Sequence, residues 1–355
     1  MLIHTSDFRV TVPALLFEPG FLAADFSPDR KLTKFLVVEE SMLDESPFID
    51  IRFEPLAQAQ FWVETRQLFE LEGLHDIERP RPAFIFHHAF VCSTLLARCL
   101  AQSEAFFSLK EPWILRRLAD VKRAGVPGPE WDEAFDKYLR LLCRNFRSGR
   151  IPVIKATNVA NNLLPDVLRH MPEQPVLFLY SDLESFLVSN LKKAADTQGK
   201  MAGLAQTFLS DGDFARQYPR MADPSNMSLL QACALVWLVS LHNFRQAIGE
   251  RRSPRVATLD AQDFLDDPVG TLGRLSRHFG HRADAAGLQR MADTRTIGTH
   301  AKEPSRVYGP EQRRSEMEEI RSRHGREIAQ ALAWAEPVAT ASGMMEYMQS
   351  RRLAA

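Results

Sequence analysis

Residues able to handle an anion are concentrated in one stretch, Phe84-Ile85-Phe86-His87-His88-Ala89-Phe90-Val91-Cys92-Ser93-Thr94-Leu95-Leu96. Its apolar start predicts a strand and its end a helix opening at Ser93, with a tight loop between. A helix N-terminus presents unpaired N–H groups and partial positive charge, which suits a phosphate. Ser93 and Thr94 would add hydroxyl donors. The loop contains neither Gly nor Lys, so it departs from the G-x-x-x-x-G-K-[ST] phosphate loop. Taken alone, an ordinary helix capped by a hydroxyl explains the segment as well or better. Glu111, between Lys110 and Pro112, is a candidate general base, since partial burial lifts a carboxyl toward working pH. It is equally an acid stabilised at a helix start. The pair His87-His88 raises the question of a metal. Adjacent histidines place two ligands poorly and no H-E-x-x-H accompanies them, so no metal is expected.

These groups need a scaffold, and the chain alternates in a way that supplies one. Apolar runs at 83–86, 105–109, 151–154, 176–180 and 255–259 predict strands. Helical patterns follow from Ser93, over about 112–123, 131–146, 161–170 and 182–193, and in a long helix ending near Gly249. Strand–helix alternation with continuously apolar strands predicts an α/β fold, a parallel sheet covered on both faces. Ligands on such sheets bind beyond the C-terminal strand ends. Chemistry should therefore sit just after Phe86, Leu109, Ile154 and Tyr180. Ahead of this the first ~75 residues read as a β-rich prelude, with strands at 33–38 and 48–53, a helix over about 56–72 and a break at Arg79-Pro80-Arg81-Pro82. Residues 299–308 read as a polar, basic loop, and 310–334 as an exposed amphipathic helix. The expected organisation is an N-terminal extension over 1–80, a main α/β domain over 81–298, and a basic loop with C-terminal helices over 299–355.

Five segments, in order, resemble the sulfotransferases. That family opens with strand–G-x-P-R-S-G-T-T-L-L–helix, or a Lys-containing version. Without gaps, His87 takes the first Gly, Ala89 the Pro, Phe90 the Arg, Val91 the Ser and Cys92 the second Gly. Ser93-Thr94-Leu95-Leu96 takes T-T-L-L. Leu109-Lys110-Glu111-Pro112 is similar to the Glu-Pro after the second strand. Ile154-Lys155-Ala156-Thr157, with Asn161-Asn162-Leu163-Leu164-Pro165, resembles E-K-T-P…L-P. Leu179-Tyr180-Ser181-Asp182-Leu183-Glu184, with Ser189, resembles R-D-P-x-x-x-x-x-S. Leu259-Asp260-Ala261-Gln262-Asp263-Phe264-Leu265-Asp266-Asp267-Pro268, with Leu272, Leu275, Phe279 and Gly280, resembles Y-E-D-L-x-x-D-P…L…F-L-G.

The resemblance covers about 84–280. It implies a P-loop, sulfotransferase-like fold and a sulfuryl donor, 3′-phosphoadenosine 5′-phosphosulfate. It implies that Phe90, Val91, Cys92, Ser93, Thr94 and Leu95 hold the donor's 5′-phosphate. Ser181 and Ser189 fall at its 3′-phosphate, with Lys302 and Arg306 from the late basic loop. Glu111, His88 and Lys155 are the implied catalytic candidates. The acceptor would be a hydroxyl or amine of a small molecule or glycan. Two departures remove charge: Phe90 replaces the loop cation, and Ser181 replaces the Arg of the 3′-phosphate site. Losing one preorganised stabiliser costs roughly 2.7–4 kcal/mol, so another cation must compensate or transfer is slow or absent. His87, His88, Lys110 and Lys155 at strand ends are candidates for the loop, and Lys192, Lys193, Lys302 and Arg306 for the 3′-phosphate.

Composition narrows the alternatives. Lys plus Arg is 44 against 45 Asp plus Glu, a formal charge of −1, so no global field draws the chain to nucleic acid or acidic membranes. The apolar run 229–241 is interrupted by Gln231 and is too short to span a bilayer. Cys92, Cys99, Cys143 and Cys233 form no C-x-x-C pair, so free thiols in a reducing, cytoplasmic setting are expected. The start of the chain does not read as a signal peptide. Three functions remain. The first is sulfuryl transfer. The second is a nucleotide- or anion-binding relative without transfer, favoured by Phe90 and Ser181. The third is a nucleotide-dependent phosphotransferase, disfavoured by the missing loop Lys and the lack of a clear magnesium-binding acid.

Overall fold

The five apolar runs pair side by side in one parallel sheet. Ala83–His87 lies at its centre, flanked by Val176–Tyr180 and Ile151–Lys155, with Val256–Asp260 and Phe106–Lys110 at the outer positions. This computed structural model describes residues 2–4, 9–11, 13–70, 81–125, 128–146, 148–250 and 253–354. Alternate residues of each strand point to opposite faces. Phe84 and Phe86 enter one buried cluster with Phe107, Ile154 and Phe178. Ala83 and Ile85 enter another with Leu95, Leu96, Val153 and Leu177. Burial on both faces is why the runs are continuously apolar. The strands after the central one in sequence lie on both sides of it, so the sheet changes direction there. A crevice opens at such a switch point.

The Leu229–Ile248 helix covers one face, stacking Phe244 on Phe178 at 4.0 Å between ring centroids. Gln231, which interrupts its apolar run, completes a capping box. The Ser228 N–H donates to its Oε1 at 3.0 Å, and Ser228 Oγ accepts the Gln231 N–H at 3.3 Å. Among the described residues, no helix is long and apolar enough to cross a membrane.

The N-terminal region forms a three-stranded antiparallel sheet of Phe21–Phe26, Leu32–Val37 and Ala59–Glu64. Its Phe35, Phe61 and Val63 share the buried cluster of Phe84 and Phe107. Two expectations fail here. Residues 56–72 are not one helix. Phe61 and Val63 are buried while Gln60, Trp62 and Glu64 are exposed, a period of two that makes a strand, and among the described residues of that span the α-helix is confined to Thr65–Phe69. Residues 48–53 are not a strand. The Ile49 N–H donates to Lys110 O at 2.6 Å, the Trp113 N–H donates to Ile49 O at 3.0 Å, and Asp50 holds the Arg52 N–H at 2.9 Å. The segment is thus a turn clamped onto the end of the Phe106–Lys110 strand. Arg79 and Pro80 of the expected break lie outside the described residues.

At the other end, 299–308 is an antiparallel hairpin of Thr299–His300 and Glu303–Val307, not an irregular loop. The Pro310–Ser342 helix follows, kinked at His324.

Candidate functional site

The central strand ends at His87 and the next helix begins at Ser93. Three of the intervening residues hold left-handed backbone: Ala89 (φ 101°), Phe90 (53°) and Cys92 (58°). Glu111, at the end of the second strand, is a fourth (60°). Each such non-glycine residue costs about 1–2 kcal/mol, and strained backbone clusters at functional sites. A loop alternating through left-handed positions turns successive amides toward one concavity, a geometry that binds anions.

That loop borders a cleft of about 860 Å³ at the switch point of the sheet. Phe90, Val91, Cys92, Ser93, Thr94, Leu95, Glu111, Ser181, Ser189 and Lys302 all line it. Together with His87, Lys192 and Lys193, these residues singled out in the sequence converge on one space from segments far apart in the chain. Arg306 does not line it. It faces Tyr308 and an ion pair with Glu316 at 3.7 Å.

Lys155 is fully buried, and its Nζ meets Glu111 Oε1 at 2.6 Å. The Glu111 side chain is 20% exposed, opening on the cleft. The backbone supports this pairing, because the Glu111 N–H donates to Lys155 O at 2.7 Å. A carboxylate held beside a buried ammonium and open to a ligand space can accept a proton from a bound hydroxyl.

The two histidines brace the loop. His87 Nδ1 accepts the Ala89 N–H at 3.2 Å, and its Nε2 lies 3.1 Å from Ala156 O. The first contact puts the ring proton on Nε2, which donates to that carbonyl. Burial, then the neighbouring Lys155 charge, holds its pKa well below the usual value. His88 has no exposed surface and packs edge-on against Phe186 at 4.8 Å. Its Nε2 accepts the Ser181 N–H at 2.8 Å, so its Nδ1 carries the proton to Ala89 O at 3.0 Å. Burial pushes its pKa down to about 4. With both nitrogens engaged and away from the cleft lining, His88 ties the loop to the end of the fourth strand instead of facing the cleft. Lys110 also turns away. Its buried Nζ donates to Leu43 O at 2.7 Å, and burial lowers its pKa to about 7.

The loop itself carries no cation, but cations from other segments stand beside it. Lys193 Nζ lies 4.9 Å from the centroid of the Phe90 ring. Lys192, Lys200 and Arg313 also line the cleft. Arg313 and Lys192 are close enough to draw the Cys92 thiol down, although burial outweighs them and raises it. Sequence reading missed Arg313, Lys200, Arg116 and His300 as lining residues. Nothing local marks them, since Arg313, Lys200 and Arg116 are ordinary charges on helices or turns and His300 is a single histidine in a short strand. Among the described residues, no group of three or more His, Cys, Asp or Glu could hold a metal ion.

No family model matches the chain, and no curated protein matches it either. Solved structures that it matches include sulfotransferases. A sulfotransferase domain from the curacin biosynthetic pathway is 13% identical, with a TM-score of 0.39, covering 69% of this chain and 98% of that one. A sulfotransferase from Alicyclobacillus acidocaldarius is 15% identical, with a TM-score of 0.38, covering 73% and 96%. A retinol dehydratase in complex with retinol and PAP is 12% identical, with a TM-score of 0.32, covering 78% and 88%.

Proposed function

We propose that this protein transfers a sulfuryl group from 3′-phosphoadenosine 5′-phosphosulfate to a hydroxyl or amine of a small-molecule or glycan acceptor. The observation that carries the reading is the convergence of a strained loop, a helix N-terminus and the Glu111–Lys155 pair on one cleft. Its volume lies in the range of about 300–1,000 Å³ usual for small-molecule sites. The donor set fits a polyanionic nucleotide. Ser93, Thr94, Ser185 and Ser189 offer hydroxyls, and Lys302 offers an ammonium. His300, in the cleft wall, has a buried Nδ1 without a partner among the described residues.

In this reading the donor supplies the sulfuryl group and leaves as 3′-phosphoadenosine 5′-phosphate. The amides of Val91 to Thr94 and the Ser93 and Thr94 hydroxyls bind its 5′-phosphate. Ser181 and Ser189 would serve its 3′-phosphate, and Lys302, over Phe48 with Glu111 among the charges acting on it, would offer a further ammonium. Glu111 takes the acceptor proton, and Lys155 holds the Glu111 carboxylate in place. His88 acts by fixing the loop.

A second reading is a nucleotide-binding relative without transfer. It is favoured by one observation, that neither Phe90 nor Ser181 brings charge to the donor. The test is twofold. Calorimetric titration with 3′-phosphoadenosine 5′-phosphate should show binding that Ser93→Ala and Thr94→Ala each weaken by about 1.5–3 kcal/mol. A panel of hydroxyl and amine acceptors should then consume the sulfated donor, with Glu111→Gln slowing this by about 10²–10⁴. Binding without turnover selects the second reading, and unchanged affinity in both hydroxyl variants rejects the site.

A further inference from the structure

The loop that opens the cleft has no cation of its own, yet one is delivered onto it by a helix a hundred residues later. Lys193 follows the Leu183–Leu191 helix, and its Nζ stands 4.9 Å from the Phe90 ring centroid. The face of an aromatic ring attracts such an ammonium. Phe90 is itself stacked on Phe186, with centroids 6.2 Å apart. The lysine's backbone is pinned as well. Gln198 Nε2 donates to the carbonyls of Asn190, Leu191 and Lys193 at 3.3, 3.2 and 3.0 Å.

The buried Lys155 and the other cations that line the cleft face other groups, Arg116 pairing with Asp120 at 2.8 Å and Lys200 with Asp196 at 3.5 Å. Lys155 is paired with Glu111, and Lys192 with Glu316 at 2.8 Å. Lys302 lies over Phe48 at 5.2 Å, and Arg313 over Tyr308 at 5.6 Å. Lys193, half-buried, shares with Lys302 and Arg313 the lack of a carboxylate partner among the described residues, but the ring it faces belongs to the loop itself. An uncompensated ammonium beside two others is unfavourable until an anion arrives. Burial, then the charges of Lys302 and Lys192, lowers its pKa to about 8, against weaker opposing pulls from Cys92 and Glu316.

We propose that Lys193 neutralises the phosphate held by the loop from Ala89 to Thr94, with Phe90 as the platform that positions its ammonium. The proposal rests on the donor reading above. In the transfer step the acceptor oxygen bonds to sulfur, and its proton goes to Glu111. The bond from sulfur to the phosphate oxygen breaks, and its electron pair stays on the phosphate. Lys193 stands where that charge gathers. The chain thereby restores from a helix end what its loop lacks.

The experiment titrates 3′-phosphoadenosine 5′-phosphate into the wild type, Lys193→Met, Lys193→Gln, Lys193→Arg and Phe90→Leu, with melting curves to check folding. Lys193→Met and Lys193→Gln should each weaken binding about tenfold or more, the loss of one charged hydrogen bond. Lys193→Arg should stay within about threefold, because it keeps the charge. Phe90→Leu should fall between them. Wild-type affinity should drop as the pH rises past 8 and Lys193 sheds its proton, and that drop should vanish in Lys193→Met and Lys193→Arg. Wild-type affinity and pH dependence in Lys193→Met would overturn the proposal and leave the donor reading standing. Failure of the wild type to bind would overturn the donor reading, and this proposal with it.

Discussion

Removing either member of the Glu111–Lys155 pair should have unequal costs. Lys155 has no exposed side-chain surface, whereas Glu111 is 20% exposed and reaches the cleft. Glu111→Gln keeps the shape but leaves a fully buried ammonium without its countercharge. Breaking a buried pair this way costs about 3–5 kcal/mol. Water in the cleft can approach the vacated carboxylate position, so the lower end, about 3 kcal/mol, is expected. Lys155→Met leaves the carboxylate facing water and should cost about 1.5 kcal/mol, the value of a hydrogen bond to a charged group. The double variant removes both charges, so its cost should fall short of the summed single costs by at least about 1 kcal/mol. Urea unfolding at pH 7, followed by circular dichroism, measures all four proteins. Costs that add within about 0.5 kcal/mol would refute the coupling. A Lys155→Met variant less stable than Glu111→Gln would refute the assignment of burial.

Acid should destabilise the fold through His88. An unfolded histidine titrates near 6.5, whereas His88 in the fold titrates at about 4. Between those values the unfolded chain binds a proton that the fold refuses, so stability falls as pH falls through this window, by about 3 kcal/mol in all. His87 acts in the same direction. Urea midpoints at pH 7 and 4.5 should therefore converge by about one proton's worth in His88→Gln, and an unchanged slope would remove His88 from the account. The strained loop gives another test. Ala89 and Cys92 sit at φ of 101° and 58°, so Ala89→Gly and Cys92→Gly should each stabilise by up to about 1 kcal/mol. A lower melting temperature in both would argue against left-handed strain there.

Much of the scaffold was legible from the chain itself. Runs such as Val176–Tyr180 are apolar at every position because both faces of a parallel strand are covered, and a composition rule of that kind is visible locally. The helix start at Ser93 was legible for a similar reason, a strand followed within a few residues by hydroxyls and leucines. Local reading failed at 48–53. Apolar residues there suggested a strand, but the hydrogen bonds of Ile49 go to Lys110 and Trp113.

What tertiary structure alone decided is the direction and company of each charged or aromatic side chain at the strand ends. His87, His88, Lys110 and Lys155 all follow or close strands, and sequence could not rank them. Packing sends Lys110 to the carbonyl of Leu43, seals His88 against Phe186, and leaves only Lys155 to hold Glu111 at the cleft. Sequence shows Phe90 without a cation beside it, whereas the fold sets Lys193 over its ring, because that distance depends on how the Leu183–Leu191 helix lies against the loop. Propensity and hydrophobic period act over a few residues and so are written in the sequence. Coulombic contact falls off with separation in three dimensions, so only the folded chain determines which charge serves which site.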